Sequence, residues 1–188
     1  LFSNTSSITN GTTVSGTSTA TFNGNGNTLD VQGGNVTSTG SWSGAITQSG
    51  GTVDFSGSSS ASYGLSSGTL NALAGATFNT MSISGGVANL ASGVANNTTS
   101  IALTGGTLSV LNNAATDIVN FSSYAPSAST LKFDVDLAGL KSDKFNGDFG
   151  GKTISLVDEN VNIFSDLADQ KGTIRLSDVD FTMNDSIL

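Results

Sequence analysis

The chain has 188 residues and a net charge of −8; 24 residues are Gly, one is Pro, and there is no Cys or His. Without Cys or His, a disulfide framework, the usual zinc site and a Ser-His-Asp triad are all excluded. The acidic balance disfavours nucleic acid and anionic membrane surfaces as partners, because Lys and Arg hold both. Only 11% of residues are charged, against roughly 25% in ordinary globular domains. Yet Val, Ile, Leu and Phe recur at short intervals, unlike in disordered chains. An ordered all-β chain is predicted. No apolar run reaches the 18 residues of a membrane-spanning helix.

The chain opens on Leu1-Phe2-Ser3, with no basic segment of a signal peptide, which predicts a fragment of something longer. Thr17-x-Thr19-x-Thr21 raises the possibility of an ice-binding face. Later Thr residues (Thr52, Thr69, Thr107) stand singly beside turns, so no flat Thr array is expected. The stretch from Asn23 to Asp30 echoes a Gly/Asp calcium nonapeptide but occurs once, and it is read as a turn whose Asn23, Asn25 and Asn27 suit a side-chain ladder.

From residue 29 a unit recurs: apolar-x-apolar, a Gly turn, then apolar-x-apolar. Its copies begin at Leu29, Ile46, Tyr63, Met81 and Ile101, so the steps are 17, 17, 18 and 20 residues. Alternation is the period of a half-buried strand. Gly33-Gly34, Gly50-Gly51, Gly85-Gly86 and Gly105-Gly106 fall where the chain must bend. Such a unit cannot bury its apolar face alone, but stacked copies can. A sandwich of hairpins is the structural alternative. The even two-strand repeat favours a right-handed parallel β-helix (β-solenoid) with coils of about 17–23 residues and about nine coils in all. The Gly pairs should then lie above one another, with the five leading apolar residues in one inward column. Trp42, the only Trp, is placed either on the surface as a sugar platform or over the open N-terminal coil. Ser59 is placed in an exposed Ser-rich connection.

Composition changes near residue 116. Residues 1–116 hold two charged side chains, Asp30 and Asp54, whereas all six basic residues lie between Lys132 and Arg175. Asn112 to Ser129, with Pro126, is expected to be an irregular insertion. Alternation returns at Leu131-x-Phe133-x-Val135-x-Leu137, Ile154-x-Leu156, Ile174-x-Leu176 and Val179-x-Phe181-x-Met183. Residues 117–188 are therefore expected to continue the solenoid with longer loops, and Phe164 to Asp169 to form at most one helical turn.

Gly51-Thr52-Val53 and Gly106-Thr107-Leu108, with Leu131-Lys132-Phe133-Asp134-Val135-Asp136-Leu137 and Ser142-Asp143-Lys144-Phe145, resemble the passenger domain of a bacterial type V autotransporter. The resemblance covers most of the chain and rests on architectural motifs. It implies a right-handed parallel β-helix displayed outside the cell as an adhesin or as a stalk presenting one. A host surface protein or glycan is the implied partner, and end-to-end or lateral self-association is open to it. No functional residue carries over. The strands of an outer-membrane barrel are not found in the sequence.

Chemistry is sparse. Asp30 and Asp54 are 24 positions apart, with no Lys, Arg or His in that half to act as a base. No catalytic or cofactor-binding residue is assigned, and no enzyme activity is expected. Asp134, Asp136 and Asp143, with Asp148, are the weak calcium candidates, because oxygen clusters bind calcium. The competing expectation puts Asp134 and Asp136 on the solvent face of a strand, neutralised by Lys132, Lys141 and Lys144. A carbohydrate-processing β-helix, lyase or hydrolase, and a structural filament or surface-layer subunit are the alternatives to the adhesin.

Overall fold

Alternating apolar residues bounded by Gly, Asn and Ser write short strands, and the chain forms almost nothing else. The fold is taken from a computed structural model that describes residues 28–136 and 141–147 in full, together with the backbone of the strands at 6–7, 12–14, 19–23 and 161–163. The first strands are β1 Ser6–Ser7, β2 Thr12–Val14, β3 Thr19–Asn23, β4 Leu29–Val31, β5 Asn35–Thr39, β6 Ser41–Trp42, β7 Ile46–Gln48 and β8 Thr52–Phe55. Next come β9 Ser58–Leu65, β10 Thr69–Ala72, β11 Thr77–Ile83, β12 Val87–Leu90, β13 Thr98–Leu103 and β14 Gly106–Ser109. The last are β15 Ile118–Tyr124, β16 Ser129–Asp136, β17 Lys141–Ser142, β18 Lys144–Asn146 and β19 Val161–Ile163. A 3₁₀ turn at Ala95–Asn97 precedes β13.

Two sheets run side by side. Sheet A has the order β1-β3-β5-β8-β10-β12-β14-β16, and sheet B the order β2-β4-β7-β9-β11-β13-β15-β18. Each strand pairs in parallel with the equivalent strand of the next coil, except that β17 turns back antiparallel onto β16. This is an all-β parallel solenoid. Leu29, Ile46, Tyr63, Met81 and Ile101 do form one register line, which continues to Phe121. The first five are at most 2% exposed. Five turns lie along this line, and the count of about nine anticipated extends over residues outside those described. In sheet A the matching column is Val36, Val53, Leu70, Ala88, Leu108 and Leu131. Burying one such aliphatic side chain contributes roughly 1.5–3 kcal/mol, so the two columns account for much of the core.

The glycines fix the corner between the sheets. Gly34, Gly51, Gly68, Gly86 and Gly106 all have positive φ, from 68° to 87°. A Cβ on Gly51 would lie 2.3 Å from the carbonyl oxygen of Gly34, and one on Gly86 2.6 Å from that of Gly68. Gly is thus required twice over: for the left-handed backbone and for the close approach of the coil beneath. The predicted stacking of the Gly pairs holds. This corner also keeps its length: the sheet A column follows the sheet B column by seven residues at 29 to 36, 46 to 53, 63 to 70, 81 to 88 and 101 to 108.

Three expectations are corrected. Asn112 to Ser129 is not one irregular insertion, because β15 forms inside it and pairs with β13. The irregular part shrinks to the loop before β15 and the turn around Pro126, which, with a one-residue bulge in β15, lengthens the span from Phe121 to Leu131 to ten residues against seven in the earlier coils. Ser59 is 2% exposed, not in an open connection, because β9 begins at Ser58 and turns its second residue inward. Trp42 is 1% exposed. Its ring is not displayed to solvent; it pairs opposite Ser59 of the next coil, and the preceding coil at that position lies outside the described residues. Phe164 to Asp169 and the alternations from Ile154 onward lie outside the described residues.

Candidate functional site

Two clusters of polar side chains stand out, and both follow the corner after sheet A. The first contains the calcium candidates. Asp134 was expected on a solvent face, but it is 0% exposed, as are Asp117 and Asp143. The loop after β14 covers it: its Oδ2 accepts the N–H groups of Asn112 at 2.7 Å and Ala114 at 3.2 Å. Asp117 reaches one coil back and accepts the N–H of Gly93 at 2.8 Å, while its Oδ2 accepts the Asn112 side-chain amide at 2.6 Å. Asp143 repeats the move one coil on. Its two oxygens accept the N–H groups of Asp117 at 3.0 Å and Asp134 at 2.9 Å. Asp136 is only half-buried, at the end of β16.

The structure therefore brings Asp134 and Asp143 together, but as a clasp. Their oxygens are aimed at backbone donors orphaned where the ladders break, which is what such donors require. Among the described residues no group of three or more acidic, His or Cys side chains has the arrangement of a metal site. Burial raises the Asp143 carboxyl to about 7, against the pull of the N–H groups of Asp134 and Asp117, and the neighbouring Asp117 and Asp134 carboxylates add to the rise. Asp117 was missed from sequence. Its signal is the match of Asp117-Ile118-Val119-Asn120 to Asp143-Lys144-Phe145-Asn146, which align in register and join their Asn side chains at 3.0 Å.

The second cluster is an open groove of about 680 Å³. Its floor is Trp42, Ser59 and Phe78, three members of an inward rank that Thr98 continues in the next coil. Small Ser59 sits between two large rings. Phe78 packs on Phe55 at 4.8 Å and edge-on to Tyr63 at 5.5 Å, which ties the floor to both sheets. The Trp42 indole N–H has no acceptor among the described residues. One wall carries Ser41, Ser58, Thr77 and Asn97, with the Ser58 hydroxyl donating to that of Ser41 at 3.2 Å. The other carries Ser43, Ser60, Asn79 and Thr99, all exposed. No charged side chain lines the groove. A bulge shapes it: Phe78 opposes Ser59 and Thr80 opposes Ser62, so Ser60 and Ala61 together face Asn79. Sequence reasoning missed this groove because its residues are 17 to 20 positions apart.

The remaining polar residues are structural. Asp30 accepts bonds from Gln32 and Thr47, and Asp54 from Asn71, which in turn accepts from Asn89. Asp54, Asn71 and Asn89 form a side-chain ladder on the outer face of sheet A, whereas the ladder expected of Asn23, Asn25 and Asn27 lies outside the described side chains. Thr52 and Thr69 do align, but Val87 separates them from Thr107. Comparison with protein-family models, curated proteins and solved structures finds no match to this chain.

Proposed function

We propose that this solenoid is an extracellular scaffold, part of a cell-surface adhesin or of the stalk that displays one. The carrying observation is how the described carboxylates are used. Asp30, Asp54, Asp117, Asp134 and Asp143 each accept hydrogen bonds that hold the coils together. Proton-transfer chemistry needs an acid or base within reach of a substrate and tuned to its task. Carboxylates engaged by donors of their own and neighbouring coils serve stacking instead. The outward ranks are mainly Ser, Thr and Asn, with Asp30 and Asp54 the only charged side chains among residues 28–116. The autotransporter-like motifs support surface display on a bacterium, with a host protein or glycan as partner.

The test is to coat beads with the purified chain and count those retained on cell monolayers and matrix-coated surfaces, beside beads carrying an unrelated β-rich protein. Retention above that control is expected. In parallel the chain is incubated with neutral and acidic polysaccharides, with and without calcium, and no product should form. Turnover that disappears in Asp136→Asn would replace the scaffold with a carbohydrate-processing enzyme.

A further inference from the structure

We propose that the groove floored by Trp42 and Phe78 binds a neutral oligosaccharide lying along the solenoid axis. This rests on the adhesin reading and specifies its ligand. Four features select the class. Its volume of about 680 Å³ lies within the roughly 300–1,000 Å³ of small-ligand sites. It crosses four coils, or roughly 14 Å at about 4.8 Å per coil, which suits a short linear chain. Its walls present hydroxyls and the side-chain amides of Asn79 and Asn97, each able to donate and accept, as sugar hydroxyls do. The absence of charged lining removes the ion pairs that sulfated, phosphorylated or sialylated ligands require.

The groove fits other occupants poorly. A protein partner needs exposed aromatic or Arg anchors at the centre of its interface. Trp42 and Phe78 are at most 2% exposed, so they give the floor its shape and little area for apolar contact. The β9 bulge doubles the residues facing Asn79. Bulges commonly re-aim side chains beside functional sites, and this one sets Ser60 beside the opening. Recognition is then by hydrogen bonds from a preformed surface.

The experiment uses the whole chain. Neutral hexasaccharides of glucose, mannose, galactose and N-acetylglucosamine, with sialylated and sulfated oligosaccharides beside them, are screened by array. Hits are titrated by calorimetry. Ser60→Trp and Asn79→Trp fill the groove from exposed positions, while Ser82→Trp places the same ring on an exposed position of β11 outside it. Urea midpoints confirm that all three fold. At least one neutral oligosaccharide should bind, weakened about tenfold or more by either groove variant and less than about twofold by Ser82→Trp. Binding confined to anionic oligosaccharides, binding indifferent to both groove variants, or no neutral ligand in the panel would overturn the assignment. Bead adhesion separates the two claims. Adhesion that survives both groove variants removes the groove and keeps the adhesin; sugar binding without adhesion keeps the groove and removes the adhesin.

Discussion

Replacing four glycines by Ala, one at a time, separates backbone strain from steric exclusion in the coil stack. At Gly64 φ is not positive, and the new Cβ would lie 3.9 Å from the nearest backbone atom, the carbonyl oxygen of Ile46. Gly64→Ala should be neutral or stabilise by about 0.5 kcal/mol, since Gly weakens a strand through its unfolded-state entropy. Gly75 has φ of 87° with nothing within 4 Å of its Cβ position. It isolates the left-handed penalty of roughly 1–2 kcal/mol. Gly85 is the converse, with ordinary φ but a Cβ only 2.2 Å from the Ser66 carbonyl oxygen. The coil beneath must yield, at an overpacking cost of roughly 1–3 kcal/mol. Gly86 carries both, with φ of 72° and a Cβ 2.6 Å from the Gly68 carbonyl oxygen, so Gly86→Ala should cost about 2–5 kcal/mol.

Urea unfolding followed by Trp42 fluorescence reads the series, since Trp42 is the only Trp and is buried in the stack. With a slope of roughly 1–3 kcal/mol per molar urea, Gly86→Ala should move the midpoint by about 1 M or more. Gly64→Ala should leave it in place or raise it slightly. The expected order of loss is Gly86, then Gly85 and Gly75, then Gly64. Equal losses at Gly64 and Gly86, or a neutral Gly85→Ala, would mean that these corners do not stack on one another as described.

Ile101→Asp sets an unpaired charge in the inward column and should cost more than about 3 kcal/mol, while Ser82→Asp, on the exposed face of β11, should stay within about 0.5 kcal/mol; matching urea midpoints would refute the column. Ser59→Asp belongs with the costly class, at more than about 2 kcal/mol in the same titration, because its side chain is buried between Trp42 and Phe78. The Tyr63 hydroxyl donates to the Gln48 side-chain oxygen at 2.7 Å inside the core, so Tyr63→Phe leaves that oxygen unpaired and should lower unfolding free energy by about 1–3 kcal/mol. The Asp143 carboxyl is raised from 3.8 to about 7 in the fold, so between those values the folded chain holds a proton that the unfolded chain has lost. Its contribution is full below about pH 3.8 and is lost as pH rises through about 7; Asp143→Asn should remove that falling component from a series of urea midpoints, and an unchanged pH profile would show that Asp143 does not titrate there.

The sheet columns and the Gly corner could be read in advance because they repeat. Leu29, Ile46, Tyr63, Met81 and Ile101 each stand at the same offset from a Gly turn, and that offset never changes until Pro126 lengthens the corner. Strand alternation failed at Asp134 for a physical reason. It assigns a side chain to a face but cannot say what crosses that face, and here the loop at 112–114 covers it. Ser59 and Trp42 failed for another reason: their rank alternates large and small residues, Trp42, Ser59, Phe78 and Thr98, so no common residue type marks it as inward. Only the register reveals that a Ser fills the space between two rings.

The two corners of each coil bear different constraints, and the difference explains where the polar clusters fall. At the Gly corner backbone approaches backbone to within contact, so an added residue would break the stack above and below. The corner after sheet A makes such a contact between its two shortest copies, where a Cβ on Gly57 would lie 2.2 Å from the Gly40 carbonyl oxygen, but in the longer copies nothing lies within 4 Å of a Cβ at Gly75 or Gly93. From the rank of Ser38, Phe55, Ala72 and Leu90 to the rank of Trp42, Ser59, Phe78 and Thr98, its length grows as four, four, six and eight residues. The stretch from that rank to the sheet B column compensates in part, with four, four, three and three residues before Ile46, Tyr63, Met81 and Ile101. Insertions in repeat proteins collect on one face, often the binding face. In this chain the groove opens directly after the variable corner, and the clasp of Gly93, Asp117 and Asp143 closes the same corner where it grows longest. The carboxylates are needed there because the lengthened loops leave backbone N–H groups with no neighbouring coil carbonyl to bond. From Leu29 to Leu108 stacking thus confines variation in length to one side of the Gly corner, and both polar clusters lie along that side.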